Sequence, residues 1–472
     1  MVGITGFAGY VPYYRLAQKE IARAWGGRGG DGERSVASVD EDSITMAVEA
    51  VREVLRGQSS QAVDGLILAT TTSPYGEKQG SALVAAAADL RHDVRTADYT
   101  NSLRASTSAI LAAVDSVKAG SASRIMVAAA DARLAQPRSA NERLYGDGAA
   151  AIEIGRDGVL AELIASHSIA DEITDVWRKG GERFTSGWEE RFALTEGYYR
   201  VVRRAVGELF ERTGIGPAEV GKAVFYSPDA GSLSGLARSL GLQAAQLPDH
   251  LFSSVGSTGA AMPLMVLAGA LEEVKAGDKI LVVGYGSGAD ALLFEVTAHI
   301  EKGGNPERKG LKRYIDSKKV LENYETYARF RDLIETERQR RQPESASAAE
   351  TWRDRDDIYR LTGHRCLACG VVQYPRQRVC VGCRQKDAFE PVSLADKHAN
   401  VFTFTLDFLN TDTNPPTVMT VVDFDGGGRA YMQMTDRDPA QVKIDQEVEM
   451  TFRRMYDADG FRSYYWKCRP VR

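Results

Sequence analysis

Four cysteines lie close together near the end of the sequence, at a spacing that predicts a metal site. Cys366 and Cys369 form one C-x2-C pair, and after ten intervening residues Cys380 and Cys383 form a second. Two such pairs place four thiolates around one ion, and tetrahedral four-sulfur coordination suits Zn²⁺ and leaves no open position for catalysis. The spacing therefore predicts structural zinc, with a catalytic metal or a redox pair as alternatives. The fifth cysteine, Cys468, falls in a predicted strand and is interpreted as a buried structural thiol.

The long part of the chain before Cys366 contains no cysteine at all. Enzymes that form carbon–carbon bonds through a covalent acyl intermediate need a thiolate or an activated hydroxyl as nucleophile. The distribution of cysteines therefore excludes a cysteine nucleophile from this part of the chain, whatever its fold.

Length and composition indicate a multidomain globular protein that acts on small molecules. The chain has 472 residues, of which 43% are hydrophobic and 26% charged, and its formal net charge is -5. This profile excludes dominant disorder and leaves no global positive field for binding nucleic acid or anionic membranes. The first residues lack a signal-peptide pattern and no run of 18 apolar residues occurs, so we expect a cytoplasmic protein.

A segment that reads as helix, then Val-Lys-Ala-Gly, then strand occurs twice. The matching strands begin at Ile125 and Ile280, an offset of 155 residues. In each copy, small and hydroxylated residues precede an apolar helix that is expected to end at Gly120 or Gly277. A Gly-rich turn then leads to another apolar strand. This alternation predicts α/β layers built from one duplicated unit.

Two arrangements of this duplication are possible. The halves either form separate doubly wound domains or pack as one five-layered body with the two repeated helices back to back in the centre. In the second arrangement pseudo-twofold symmetry maps Leu103 onto Thr258. Both helix N-termini would then face a common interface and offer N–H groups to a developing oxyanion.

The end of the chain has a different composition. Residues 302–341 are charged and read as helical, Gln342 begins a linker, and we place a domain boundary near residue 345. From Asn400 onward, five runs of alternating polar and apolar residues predict a small Greek-key barrel of OB type. The expected organisation is a body over 1–345 (halves 1–160 and 161–300, helical extension 301–345), a helical lead-in and zinc ribbon over 346–390, and a barrel over 391–472.

Several segments together carry a resemblance to a known family. Residues 1 to about 340 resemble the hydroxymethylglutaryl-CoA synthase branch of the thiolase superfamily, and the remainder resembles zinc-ribbon plus OB-fold modules that accompany thiolase-like acyl-CoA enzymes. The resemblance implies an α/β fold, with a duplicated thiolase-like αβαβα body followed by a four-cysteine zinc ribbon and a small all-β barrel of OB type. The matching segments are Asp175-Val-Trp-Arg-Lys-Gly-Gly, Val224-Phe-Tyr-Ser-Pro, Gly256-Ser-Thr, Gly284-Tyr-Gly-Ser-Gly-Ala-Asp and Tyr324-Glu-Thr-Tyr-Ala-Arg-Phe-Arg.

The sequence departs from this family at each expected catalytic position. Leu103 occupies the place of the family's nucleophilic cysteine, and Tyr226 that of its histidine. Ser257 replaces the asparagine, and Thr71 the acidic residue. A gapped alignment instead places Ser102 at the nucleophile, but no histidine lies in a family active-site motif to activate it.

An aldol reaction requires a stabilised thioester enolate but no acyl-enzyme. It therefore remains possible without the family's catalytic residues. Our leading hypothesis is a carbon–carbon lyase that cleaves or forms a β-hydroxyacyl-CoA through a thioester enolate held in an oxyanion site. Tyr226 is then the proton donor, acceptor or oxyanion donor, with Asp229 tuning its pKa, although an ordinary phenol is a poor base at neutral pH. Tyr145 and Tyr75 are weaker alternates. Ser257 and Thr258 either donate to the oxyanion or simply cap the second helix.

The resemblance also implies partners. Arg178 and Lys179 fall where the family contacts the nucleotide end of CoA, so a CoA thioester is the expected substrate and zinc the expected metal. The barrel is expected to shape the acyl-CoA pocket or dock a partner enzyme rather than bind nucleic acid, and a homodimer is the family-level expectation. A condensing acyltransferase and a non-catalytic acyl-CoA-binding scaffold remain alternative functions.

Overall fold

The computed structural model describes residues 1–302, 307–335, 346–409 and 413–472. These residues divide into two compact units. The first unit comprises Met1–Ala37, Asp42–Ala85 and Leu90–Tyr324, and the second comprises Ser38–Glu41, Ala86–Asp89 and Glu325–Arg472. No helix in these ranges is long and apolar enough to cross a membrane.

The first unit is an α/β structure. Its strands are β1 (Gly3–Tyr10), β2 (Tyr14–Ala17), β3 (Glu33–Val36), β4 (Gly65–Thr70), β5 (Arg95–Thr100), β6 (Ile125–Asp131), β7 (Gly148–Gly155), β8 (Ala161–Ala170), β9 (Val176–Trp177), β10 (Ser186–Gly187), β11 (Lys222–Phe225), β12 (Lys279–Tyr285), β13 (Gly288–Val296) and β14 (Lys319–Val320). Its α-helices are α1 (Gln18–Trp25), α2 (Ser43–Leu55), α3 (Gly80–Ala87), α4 (Ala105–Lys118), α5 (Asn141–Leu144), α6 (Glu190–Phe192), α7 (Arg200–Thr213), α8 (Ala230–Ser239), α9 (Met262–Leu271) and α10 (Leu311–Asp316).

One nine-stranded sheet, in the order β11-β12-β13-β8-β1-β7-β6-β4-β5, organises the first unit. Strand β4 pairs in parallel with β5 and β6, and β11 pairs in parallel with β12. In both groups the strand that follows the repeated helix continues into an antiparallel partner, β7 after β6 and β13 after β12. The predicted repeat is therefore a repeat of structure.

The repeated helices α4 and α9 lie in the centre of this unit. They contact each other, α4 packs on β4, β6, β12 and β13, and α9 packs on β1, β7, β11 and β12. Helix α2 covers β1, β6 and β7, whereas α7 covers β8 and β13. Both central helices are mostly apolar, as helices buried between two sheet layers must be. The pairing of β1 with β8 makes the sheet continuous, but its two ends pack on the same helix pair, with α2 outside one end and α7 outside the other. The order of layers is therefore helix, sheet, helix pair, sheet, helix, as in the predicted αβαβα body.

Two details of the prediction are wrong. Helix α9 ends at Leu271, well before Gly277, which instead lies in the turn that leads into β12. The stretch predicted as continuously helical from residue 302 is interrupted by β14, because Lys319 and Val320 pair in parallel with Tyr14 and Arg15 of β2. The part of that stretch from 336 onward lies outside the described residues.

The second unit combines short helices with two small β structures. Its elements are α11 (Tyr324–Phe330, which begins at the last residue of the first unit), α12 (Ala348–Arg353), α13 (Arg355–Arg360), β15 (Thr362–Cys366), β16 (Val372–Gln373), β17 (Phe389–Ser393), β18 (Ala399–Asp407), β19 (Thr417–Phe424), β20 (Arg429–Met434), β21 (Glu447–Ala458) and β22 (Phe461–Pro470). Strands β16, β15 and β17 form a three-stranded sheet, and the last five strands close into a barrel in the order β18-β19-β20-β22-β21. The five predicted runs correspond to these five strands.

The predicted domain boundary near residue 345 and the start of the linker at Gln342 lie outside the described residues. The division between the two units falls earlier, between Tyr324 and Glu325. The finer division of the body into halves at residue 160 remains a prediction.

Candidate functional site

The loops that follow the parallel strands of the first unit meet at one cavity. Ligands in open α/β sheets bind beyond the carboxyl ends of such strands, because the loops there converge. The cavity has a volume of about 400 Å³. It is lined by Thr71, Asn101, Ser102, Leu103, Arg133, Leu134, Glu172, Ile173, Thr174, Asp175, Val176, Trp177, Arg178, Thr185, Gly286 and Ser287.

The start of helix α4 forms one wall of this cavity. Leu103 lies just before the helix and lines the cavity, as the sequence predicts for the residue in the nucleophile's place. Ser102 also lines it, and its Oγ donates to the carbonyl oxygen of Gly286 at 3.0 Å. Neither cysteine nor histidine occurs among the lining residues that the structure describes. Ser102 therefore has no imidazole in this wall to activate it.

Each central helix begins against a loop of the other half. The start of α4 contacts Gly286, which follows β12, whereas the start of α9 contacts Asp131, which ends β6. Ala260 N donates to Asp131 Oδ2 at 2.8 Å. Asp131 and Gly286 are separated by the same 155 residues as the repeated strands. Their partners Ser102 and Ala260 are separated by 158 residues, so the two contacts lie at similar places without being equivalent pairs.

Asp131 is a buried carboxylate whose oxygens are already occupied. Besides Ala260 N, it accepts hydrogen bonds from the hydroxyls of Thr70, Thr71 and Thr72 at 2.8 to 3.0 Å and from Thr71 N at 2.7 Å. Thr71, predicted at the place of the family's acidic residue, thus lines the cavity, and its hydroxyl donates to Asp131. A carboxylate that accepts this many hydrogen bonds holds the surrounding loops in place and is not available as a catalytic base.

Arg133 is the functional candidate that the sequence reasoning missed. Its side chain is 4% exposed, lines the cavity and lies over the ring of Tyr145, with Cζ 4.1 Å from the centroid. Its Nη2 donates to Tyr145 Oη at 3.0 Å, and Nη1 has no hydrogen-bond partner within the described part of the chain. Burial works against the charge, but Tyr145, Tyr226 and Asp131 raise the pKa of Arg133 overall, so it stays a cation. The sequence did contain one signal for this residue: Arg133 is a basic residue two positions beyond a buried parallel strand, where ligands often bind.

Tyr145 is fixed from two sides. Its hydroxyl lies 3.1 Å from Thr185 Oγ1 and accepts from Arg133. Its backbone is held by Ser257, because Ser257 N donates to the carbonyl oxygen of Leu144 at 2.7 Å and Gly146 N donates to the carbonyl oxygen of Ser257 at 3.0 Å. Ser257 is buried and its Oγ lies 3.8 Å from Met262 Sδ. The structure thus places Ser257 where it positions Tyr145 rather than in the cavity wall.

Neither Ser257 nor Thr258 caps the second central helix. A short 3-10 turn, Gly259–Ala261, precedes α9, and Thr258 makes no side-chain capping bond to it. The alternative interpretation of these two hydroxyls as N-caps is therefore wrong. Gly259, with φ +59°, takes the space beside Arg133, since a Cβ there would lie 2.7 Å from Arg133 Cδ and 2.3 Å from Asp131 Oδ2.

Tyr226 follows β11 directly and lies next to Arg133. It is 6% exposed, interacts electrostatically with Arg133 and stacks on Tyr285 with ring centroids 6.3 Å apart. It is not among the residues that line the cavity. Burial raises the pKa of Tyr226 to about 12, although the charge of Arg133 acts in the opposite direction. The phenol is therefore protonated at neutral pH and is not a resting base.

Asp229 has a local structural role. Its side chain caps α8, accepting from Ser232 N at 2.9 Å and from the Ser232 hydroxyl. Burial, Arg133, Tyr145 and Asp175 are the largest influences on the pKa of Tyr226. An effect of Asp229 on it remains a prediction. Asp175, a half-buried carboxylate in the cavity wall, accepts from Tyr285 Oη at 2.8 Å.

The two predicted CoA-contacting residues have different surroundings. Arg178 lines the cavity, and its Nη2 donates to the carbonyl oxygen of Thr71 at 2.5 Å. Lys179 is exposed, is not a lining residue, and its backbone N donates to Glu182 Oε2 at 3.0 Å. Tyr75, the weaker alternate, is also absent from the lining set.

The four cysteines of the second unit meet as predicted. Their sulfur atoms lie within 4.8 Å of one another, with Cys366 and Cys383 3.6 Å apart and Cys369 and Cys380 3.5 Å apart. A tetrahedron with Zn–S bonds of about 2.3 Å has edges of about 3.8 Å, so the set fits one zinc ion. Cys468 is buried in the barrel, and burial raises the pKa of its thiol to about 12, as expected for an inert thiol.

The layered fold, with a cavity at the head of its central helix, defines a thiolase-like condensing-enzyme body. Comparison with known proteins gives the family. The chain is 32% identical over 348 residues to the hydroxymethylglutaryl-CoA synthase of Pyrobaculum aerophilum, covering 71% of this chain and 98% of that protein. The enzyme of Methanopyrus kandleri is 32% identical over 345 residues, covering 71% of this chain. The chain belongs to the hydroxymethylglutaryl-CoA synthase family.

Family models and solved structures agree with this assignment. Residues 210–295 match the C-terminal model of 3-oxoacyl-[acyl-carrier-protein] synthase III, and residues 353–390 match the model described as ChsH2, rubredoxin-like zinc ribbon domain. A crystal structure of a hydroxymethylglutaryl-CoA synthase complexed with CoA superposes with a TM-score of 0.62 at 20% identity, covering 70% of this chain and 89% of that one. The synthase of the curacin pathway, in complex with an acetyl donor carrier protein, gives 0.63 at 17%, covering 70% and 88%. At these identities the likeness concerns the fold alone.

Proposed function

We propose that the protein is a carbon–carbon lyase that cleaves or forms a β-hydroxyacyl-CoA through a thioester enolate. The observation that carries the proposal is the composition of the cavity at the start of α4. Leu103 lies there instead of a nucleophile, and a buried cation, Arg133, lies in the wall. Such a site can stabilise developing negative charge but offers no thiol for an acyl-enzyme.

In the cleavage direction, a carboxylate removes the β-hydroxyl proton and the carbonyl bond forms as the Cα–Cβ bond breaks. The electron pair moves into the thioester to give its enolate. The proton that the carboxylate took from the β-hydroxyl is then added to Cα, which completes the shorter acyl-CoA. Asp175 is the carboxylate in the wall that suits the first step, and it is oriented by Tyr285. Tyr226 and Tyr145 hold Arg133 and are positioning residues in this scheme.

A CoA thioester is the proposed form of the substrate. The relatives are named for a CoA thioester, and one structure of similar fold is a CoA complex. Arg178 at the cavity and Lys179 beside it are the proposed contacts with the nucleotide end.

A condensing acyltransferase is the second candidate, because the curated relatives are synthases. This reaction would require direct transfer from one CoA thioester to another, or Ser102 as the nucleophile. The hydrogen bond that Ser102 Oγ donates to Gly286, with no histidine in the described lining, argues against the covalent form.

The test is a product assay on the full chain. One arm offers a panel of β-hydroxyacyl-CoA thioesters, and the other offers pairs of acyl-CoA thioesters; mass spectrometry follows aldehydes, ketones and new acyl-CoA products. We expect cleavage that survives thiol alkylation and the substitution Ser102→Ala. Products from acyl-CoA pairs alone would contradict the lyase and support the synthase. Silence in both arms with intact CoA binding would support a non-catalytic scaffold.

The remaining assignments are proposals that rest on the sequence. We infer structural zinc in the ribbon, and an OB-type barrel because its five closed strands are the number that this fold uses. A homodimer, a partner enzyme docked at the barrel and a cytoplasmic location are further expectations; size-exclusion chromatography with light scattering tests the first of them.

A further inference from the structure

We propose that Arg133 binds the thioester oxygen that becomes negative in the enolate, and that this cation takes the place of the family's usual catalytic set. The inference rests on the proposed function but concerns one group and one atom of the substrate. It makes Arg133 a catalytic residue, and Tyr145 and Tyr226 its positioning residues.

The unpaired nitrogen of Arg133 is the first argument. Its Nη1 is buried and has no hydrogen-bond partner among the described residues, although the side chain lines the cavity. A buried charged donor without an acceptor destabilises the protein, because it has lost its hydrogen bonds to water without replacing them. An oxygen atom of a ligand in the cavity would remove this cost.

The second argument is that the rest of the side chain is already held. Nη2 donates to Tyr145 Oη at 3.0 Å, the ring of Tyr145 lies under the guanidinium, and Tyr226 is a further group that acts on the charge of Arg133. The absence of a side chain at Gly259 leaves room for Arg133 Cδ. The cation is therefore organised before substrate binds, which is what electrostatic stabilisation of a transition state requires.

The charges around the cavity indicate which kind of substrate oxygen Arg133 binds. Asp131, the acidic residue nearest in sequence, is saturated by threonine and backbone donors and leaves Nη1 without a partner. Glu172 and Asp175 lie in the same wall. The lining also contains two cations, Arg133 and Arg178, so its charges balance before a ligand binds. A neutral thioester oxygen that gains negative charge only during the reaction would then interact more strongly with Arg133 in the transition state than at binding.

The experiment measures enolate formation without turnover. Acetoacetyl-CoA is added to the full-length protein, and the near-ultraviolet absorption of its enolate is followed as a function of pH. We expect the wild-type protein to lower the pH at which the bound enolate appears. Arg133→Met should reduce the bound enolate at least about tenfold at fixed pH. Arg133→Lys should retain part of it, because the charge stays but the fork of donors is lost.

Two controls keep the result interpretable. Arg212→Met makes the same change at an exposed position of α7 outside the cavity lining and should leave the enolate signal unchanged. Tyr145→Phe keeps the ring but removes one partner of Arg133 and should give an intermediate loss, so the inference stays testable if Arg133→Met fails to fold.

Other outcomes separate the inference from the proposed function. An equal enolate signal in Arg133→Met that still binds acetoacetyl-CoA overturns the inference. Tighter, Arg133-dependent binding of malonyl-CoA would also overturn it, because Arg133 would then recognise a carboxylate. A wild-type protein that stabilises the enolate but cleaves no β-hydroxyacyl-CoA keeps the role of Arg133 and removes the lyase.

Discussion

The zinc ribbon and the cavity are built in opposite ways. All four ligands of the ribbon come from residues 366–383, and their spacing alone defines the site. The cavity is assembled from the ends of strands β4, β5, β6 and β12, with residues between 71 and 287. The first site is local in sequence, and the second exists only after the sheet has formed.

This difference bears on where each site gets its chemistry. The ribbon contains four of the five cysteines of the chain, whereas the cavity wall has none. Soft thiolates at fixed spacing select a metal whatever the fold around them. The cavity instead depends on burial, which keeps Tyr226 protonated and leaves Arg133 Nη1 without a hydrogen-bond partner in the described ranges. Each prediction below tests one side of this contrast.

Removing the metal should have the largest effect on stability, and the destabilised region should be the zinc ribbon. Cys380→Ser deletes one of four ligands, and binding of structural zinc is worth on the order of 10 kcal/mol of local folding free energy. We expect loss of about one zinc per chain by metal analysis and rapid proteolysis within residues 362–393. The matched control is Cys468→Ala, a buried thiol of the barrel, which should keep its zinc. Equal zinc content in both variants would refute the four-cysteine site.

Tyr226→Phe tests the cavity side of the contrast. The substitution keeps the ring that stacks on Tyr285 but deletes the hydroxyl that interacts electrostatically with Arg133. We expect kcat for β-hydroxyacyl-CoA cleavage to fall roughly 10- to 100-fold, with little change in KM, since Arg133 then loses its orientation. Tyr431→Phe, at an exposed position of the barrel, is the control. Activity within twofold of wild type would remove Tyr226 from the mechanism.

Much of the fold could be predicted from the sequence because its signals are periodic. The strand starts near Ile125 and Ile280, the five barrel strands and the ribbon follow from alternation, repeats and cysteine spacing. The resemblance aligned Leu103 and Ser102 with a helix start, and both residues line the cavity there, while their roles remain predictions.

The rest could not be predicted, because it depends on contacts between distant residues. Arg133 acquires its role from Tyr145 and Tyr226, and no local pattern indicates that one of its nitrogens is left unpaired. Strand β14 forms only because β2 lies beside it, so a helical composition was misleading there. His250 was likewise not identified as a support of the site.

His250 should make the stability of the first unit depend on pH. Its Nε2 accepts from Phe225 N at 3.2 Å, one residue before Tyr226, and burial lowers its pKa from 6.5 to about 4. Below pH 6.5 the unfolded chain binds a proton that the folded chain does not, so stability falls as pH falls from 6.5 towards 4. The loss should reach about 2 kcal/mol at pH 5, at 1.36 kcal/mol per pKa unit.

Urea unfolding at several pH values measures this effect. His250→Gln should be less stable at pH 7 but lose less stability between pH 6.5 and 5. His299→Gln, at an exposed position, should keep the wild-type slope. If the free energy of unfolding depended on pH in the same way in all three proteins, groups other than His250 would cause the loss of stability in acid.

The smallest effects are expected at the rim of the cavity, where solvent screens charge. Arg178 lines the cavity and is fixed to the carbonyl oxygen of Thr71, whereas the neighbouring Lys179 is exposed outside the lining. Arg178→Ala should raise KM for a CoA thioester about 3- to 10-fold, and Lys179→Ala less than about threefold, because exposed ion pairs contribute about 0–1 kcal/mol. Omitting the nucleotide end, with a pantetheine thioester as substrate, should remove both effects. If Lys179→Ala instead has the larger effect, the nucleotide end of CoA contacts Lys179 rather than Arg178. The binding site would then extend beyond the residues that line the cavity.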